Sequence, residues 1–133
     1  ERRATVLIVE DDDRVRQLTR RVLEQYGFGT VEARNGNEAL ALLDAPSRRV
    51  DAVVSDVMMP GMNGRELLGR LRLRRPGLPV LFLSGYTGDE VSEEARTRPN
   101  QAFLQKPYSP EVLAAALEDL LADRGVTPPA TAG

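Results

Sequence analysis

The chain has 133 residues, 41% of them apolar and 29% charged, with 18 Lys and Arg against 20 Asp and Glu for a net charge of −2. That length suits one domain around one core, and the near-even charge gives no support for a basic nucleic-acid-binding surface. There is no Cys and no His, which excludes disulfides, thiolate metal sites and imidazole acid–base chemistry on this chain, and no apolar run approaches the length of a membrane span.

The first apolar run is Val6–Val9, and it leads straight into Glu10-Asp11-Asp12-Asp13. A helical pattern follows, with Val15, Leu18, Val22 and Tyr26 on one face and Gly27 as its stop. The second run is Phe28–Ala33; after Asn35-Gly36 a second helix carries Ala39, Leu40 and Leu43. The third run, Ala52–Val54, ends in Ser55-Asp56, and the helix beyond it bears Leu67, Leu68 and Leu71 before Arg75-Pro76-Gly77. Val80–Leu83 is the fourth run and ends in Ser84-Gly85. The helical segment after it, around Asp89–Arg96, has only Val91 and Ala95 to offer a core. The fifth run, Phe103–Leu104, ends in Gln105-Lys106-Pro107. The last helix opens at Ser109-Pro110-Glu111, a cap residue followed by Pro at the first helical position, and carries Val112, Leu113, Ala116, Leu117, Leu120 and Leu121.

Strand and helix thus alternate five times, which predicts an α/β fold with a parallel sheet and helices on both faces. Runs such as Val-Leu-Ile-Val and Val-Leu-Phe-Leu are apolar on both faces, as central parallel strands should be. Residues 1–123 read as one domain and 124–133, a Pro/Ala/Thr-rich stretch, as a flexible tail or linker. No signal peptide opens the chain, so a cytoplasmic location is expected; the start at Glu1 rather than Met reads as processing or excision from a longer protein.

In open α/β sheets ligands sit beyond the carboxyl ends of the strands. The residues that follow each apolar run are therefore a test of function. Strands one, three, four and five deliver acids, Asp56, Ser84 and Lys106 to one edge, while strand two ends in Ala33-Arg34 and is expected to be peripheral. Each has a plain reading: a solvated loop with Asp13 capping the first helix, turn chemistry at Ser84-Gly85, a surface lysine at 106. Asp56 resists one, because it abuts Val53-Val54 and precedes more apolar residues. Carboxylates crowded together raise one another's pKa, and a hard divalent ion relieves the conflict. Oxygen ligation without His or Cys suits Mg²⁺, with Mn²⁺ as a substitute. A carboxylate nucleophile beside such an ion, with a Lys and a hydroxyl to receive developing charge, is what phosphoryl transfer to Asp requires.

In the segments LIVEDDDRVR, VVSDVMMPGMNG, VLFLSGYT and FLQKPYSP, in this order and spacing, the chain resembles the receiver domain of two-component response regulators over roughly residues 4–122. The wording SGYT and QKPYSP is similar to receivers of hybrid sensor histidine kinases. The resemblance implies a flavodoxin-like (βα)₅ doubly wound sheet with strand order 2-1-3-4-5. It implies Asp56 as phosphoacceptor, with Glu10, Asp11, Asp56 and the Met58 backbone carbonyl around Mg²⁺; Asp12 falls outside the aligned acid pair. Ser84 matches the switch hydroxyl, Lys106 the site lysine, and Phe103 the aromatic whose rotamer follows Ser84. The Lys106-Pro107 bond matches one commonly cis. Met58 and Tyr86, two residues beyond Asp56 and Ser84, are bulky where the family flanks its site, and would restrict water and prolong the acyl phosphate.

The implied function is a phosphorelay receiver that takes a phosphoryl group from a histidine kinase or phosphotransfer domain. It then changes the surface formed by the segment around 89–96, the fifth strand and the last helix, for a downstream protein or covalently linked domain. It would be no enzyme beyond its own phosphorylation and dephosphorylation, with no direct contact to nucleic acid or membrane. The alternative is a receiver-like binding module that signals without phosphorylation. A haloacid-dehalogenase-type phosphatase would need an acid where Met58 stands. A flavin-binding module would need a phosphate-cradling loop in place of Glu-Asp-Asp-Asp.

Overall fold

Five strands of five residues each form one wholly parallel sheet in the order β2-β1-β3-β4-β5. They are β1 (Thr5–Val9), β2 (Gly29–Ala33), β3 (Ala52–Asp56), β4 (Val80–Ser84) and β5 (Gln101–Gln105). The helices are α1 (Asp13–Gln25), α2 (Gly36–Asp44), α3 (Gly64–Arg74) and a C-terminal helix, Pro110–Asp123. This is a computed structural model, and it describes residues 3–45, 49–57, 61–84 and 100–123. The segment around Asp89–Arg96 and the tail 124–133 lie outside those residues.

Two apolar clusters, one on each face of the sheet, follow from the alternation of side chains along a strand. Leu7, Val9, Val53, Val80 and Phe82 join Leu40 and Leu43 of α2 and Leu67 and Leu71 of α3. Val6, Ile8, Val54, Leu81 and Leu83 join Leu23 of α1 and Leu113, Leu117 and Leu121 of the C-terminal helix. The central strands are thus buried on both sides. Each large side chain so enclosed contributes about 1.5–3 kcal/mol, the main force holding the layers together.

Helix ends follow local chemistry. Ser109 opens the C-terminal helix, its Oγ accepting from the Val112 N–H at 3.3 Å. Asn35 and Asn63 accept from the N–H groups of Glu38 and Glu66. At the other end of α1, Gly27 has φ 91°, a left-handed conformation that glycine takes without steric cost. There the Phe28 N–H reaches the Leu23 carbonyl and the Gly27 N–H the Glu24 carbonyl, both at 3.0 Å.

Two expectations for α1 need correction. Its cap is Asp12, not Asp13: Asp12 Oδ1 accepts from the N–H groups of Arg14 and Val15, while Asp13 is the first helical residue and pairs with Arg16. Nor does the whole stripe Val15–Leu18–Val22–Tyr26 point into the core: Val22 and Tyr26 pack against it half-buried. The buried positions are Arg16, Thr19 and Leu23, whereas Leu18 is 63% exposed. Val15, Leu18 and Val22 line a groove of about 220 Å³ with Thr19, Tyr108, Pro110 and Leu113.

Candidate functional site

The strand order reverses direction about β1: the chain moves from β1 to β2 on one side and to β3 on the other. In open sheets such a reversal, at the carboxyl ends of the strands, is where ligands bind. Glu10 follows β1 directly, Asp56 is the last residue of β3, Ser84 the last of β4, and Lys106 follows β5. The topology brings all four to one edge, and β2 lies at the rim of the sheet as anticipated.

Lys106 Nζ lies 3.4 Å from Asp56 Oδ2, with the two side chains 33% and 15% exposed. The lysine is carried there by its own backbone, whose N–H donates to the Ser84 carbonyl at 2.7 Å, and the Lys106-Pro107 bond is cis. The backbone just after Asp56 is fixed through both groups of Val57: its N–H donates to the Leu83 carbonyl at 3.1 Å, and its carbonyl accepts from the Gly64 N–H at 2.8 Å. Glycine at position 64 leaves room for this approach. A Cβ there would stand 3.0 Å from a Phe82 ring carbon and 3.1 Å from Val57 Cα.

Glu10 is the most buried acid of the group, only 5% exposed. Its carboxyl is raised to about 7: burial is the largest cause, the Asp12 N–H on its Oε2 opposes it, the charge of Asp56 and a hydrogen bond with Asp11 add to it, and Lys106 lowers it. An acid raised by burial and by two acidic neighbours belongs to a set short of positive charge. Tyr108 senses the same field: burial first, then Glu10 and Asp56, raise its phenol above the ordinary value.

Among the described residues, no three acids gather into a ready-made cation cage. Glu10, Asp11 and Asp56 are nevertheless all-oxygen donors whose mutual repulsion a hard cation would relieve. That donor set fits an ion such as Mg²⁺, which keeps several of its waters. Met58, whose carbonyl was expected to join them, and Tyr86 lie outside the described residues. Phe103 stacks on Phe82 of β4 with ring centroids 5.1 Å apart and planes 18° from parallel.

Two residues near the site escaped sequence reading. Tyr108 stands in the FLQKPYSP segment with no role assigned to it from sequence. Arg16, 8% exposed, was hidden because a charged residue is not sought on a core face. Its position three and seven residues before Thr19 and Leu23 was the available signal.

The response regulator receiver domain model matches residues 6–118. The chain is 41% identical over 118 residues to the sensor kinase CckA of Brucella abortus, covering 89% of this chain and 12% of that protein. It is 41% identical over 130 residues to the response regulator MprA of Mycolicibacterium vanbaalenii, covering 96% of this chain and 54% of that one. The chain thus spans about half or less of the curated relatives it matches. Among solved structures, the chemotaxis protein CheY4 of Vibrio cholerae superposes with TM-score 0.79 at 33% identity, covering 90% of this chain and 99% of that one. The receiver domain of the hybrid histidine kinase CckA does so with TM-score 0.73 at 32% identity, covering 89% and 99%. With the sheet order, the strand-end residues and these matches together, the chain belongs to the response regulator receiver domain family.

Proposed function

We propose that the chain accepts a phosphoryl group on Asp56 from a phosphohistidine of a histidine kinase or phosphotransfer domain. The observation that carries this is the Asp56–Lys106 pair at a strand end, beside a buried, charge-starved Glu10. An Asp56 carboxylate oxygen forms the bond to phosphorus as the donor's P–N bond breaks, its electron pair leaving with the imidazole. Lys106 holds the carboxylate and then faces the added oxygens. Ser84, next along the same edge, is the hydroxyl donor to the new phosphoryl group. Glu10, Asp11, Asp56 and the Met58 carbonyl would hold Mg²⁺ or Mn²⁺, which neutralises phosphoryl charge when bound.

The new dianion biases a two-state equilibrium, with Ser84 and Phe103 coupling it to the outer surface of β5 and the C-terminal helix. A downstream protein or a covalently linked domain reads that surface. The chain catalyses only its own phosphorylation and dephosphorylation, acts in the cytoplasm, and contacts neither nucleic acid nor membrane. Among the described residues no helix is long and apolar enough to cross a membrane.

Intact mass after incubation with a small-molecule phosphodonor tests the reading. One phosphoryl adduct is expected, dependent on Mg²⁺ and absent from Asp56→Asn. No adduct from either this donor or a phosphorylated phosphotransfer domain would favour a binding module that signals without phosphorylation.

A further inference from the structure

Arg16 sits on the inward face of α1, yet its three contacts are polar groups at the end of β1, the start of α1 and β2. Nη1 donates to the Glu10 backbone carbonyl at 3.0 Å, Nη2 to Asp13 Oδ1 at 2.6 Å and Nε to Glu32 Oε1 at 3.2 Å. The Glu10 carbonyl belongs to the peptide that joins Glu10 to Asp11. Holding that oxygen sets the plane from which both acid side chains project. On the other side, the Glu10 N–H donates to the Ala33 carbonyl of β2 at 3.1 Å, so the residue is gripped from both ends. Glu32 is itself held by Arg20 Nη1 at 3.1 Å, which ties the guanidinium to the neighbouring strand as well as to its own helix.

A guanidinium near a cation site is ordinarily a liability, because it repels the ion. Here its charge is met by Asp13 and Glu32. The planar fork of Arg can serve three acceptors at once, which a Lys ammonium on a flexible stem cannot do with the same rigidity.

We infer that Arg16 is a positioning residue: it locks the Glu10–Asp11 peptide so that the two acids are presented to a divalent cation in one fixed orientation. This rests on the cation-site reading above. Groups that orient metal ligands from behind typically change affinity by about 10–100-fold when lost.

The test is Mn²⁺ binding followed by electron paramagnetic resonance of the free ion, with Mg²⁺ competition, on wild type, Arg16→Met, Arg16→Lys and Arg75→Met. Arg75 also donates to a backbone carbonyl, that of Leu43 at 2.9 Å, but between α2 and α3, so its loss controls for a structural clamp removed elsewhere. Expected is one Mn²⁺ on wild type and on Arg75→Met with equal affinity, about tenfold or more weaker binding to Arg16→Met, and an intermediate loss for Arg16→Lys. Circular dichroism should show all four folded; if Arg16→Met is not, Arg16→Lys decides. Arg16 variants that bind Mn²⁺ within twofold of wild type would overturn the inference and leave the cation site standing. A wild type that binds no Mn²⁺ would overturn the cation-site reading and the inference with it.

Discussion

Lys106 and Asp56 stand 50 positions apart in sequence and meet at 3.4 Å because β5 and β3 end at the same edge of the sheet. The pair is partly open to solvent, so its contribution to stability is modest, about 1 kcal/mol or less. Its consequence lies in the chemistry. Lys106→Met should leave the unfolding free energy nearly unchanged and slow phosphoryl uptake from a small-molecule donor by about 100-fold, the scale on which a single preorganised charge acts. Denaturant unfolding and time-resolved intact mass on the same preparation check both halves.

Glu10 makes stability depend on pH. Its folded pKa, about 7, lies above the ordinary value of 4.5. The stabilisation from the protonated form is complete below 4.5 and is lost as pH rises through 7. Without divalent ions, the difference in unfolding free energy between wild type and Glu10→Gln should therefore shift by about 3 kcal/mol at most from pH 4 to pH 8, to the disadvantage of wild type. Urea titrations across that range measure it. Saturating Mg²⁺ should narrow the gap at neutral pH, since binding to the folded state alone stabilises it.

Gly64 and Gly69 both lie in α3 and should respond oppositely to alanine. At Gly64 the new methyl meets Phe82 and the Val57 backbone at 3.0–3.2 Å, whereas at Gly69 nothing lies within 4 Å. Gly64→Ala is expected to cost about 1–3 kcal/mol by overpacking. Gly69→Ala should add about 0.5–1 kcal/mol by lowering the entropy of the unfolded chain. Because Val57 follows Asp56 directly, Gly64→Ala should also slow phosphorylation, while Gly69→Ala should not. Chemical denaturation and the mass assay separate the two.

On α1 the exposed and buried leucines give the opposite of what the apolar stripe suggests. Leu23 is fully buried and Leu18 is 63% exposed. Leu23→Ala should cost about 2–5 kcal/mol, and Leu18→Gln should fall within about 0.5 kcal/mol of wild type. Thermal unfolding of both variants checks the rotation of the helix.

Much of the fold was legible in the chain because its signals are local. Apolar runs on both faces mark buried parallel strands, and Asn35, Asn63, Ser109 and Gly27 act on backbone groups within a few residues of themselves. The alternation named the strand ends, and with them Glu10, Asp56, Ser84 and Lys106 as neighbours. The order 2-1-3-4-5 came from family likeness, since alternation alone permits other orders, and the sheet bears it out. What tertiary structure decided is which way each side chain faces. Hydrophobic spacing finds a stripe on α1 but cannot say that Leu18 borders an open groove while Arg16, Thr19 and Leu23 are buried. The burial of Glu10 and its elevated pKa, and the grip of Arg16 on the Glu10 carbonyl, likewise depend on groups from β2, β3 and α1 converging. Those are contacts between distant segments, and no local pattern encodes the orientation in which they meet.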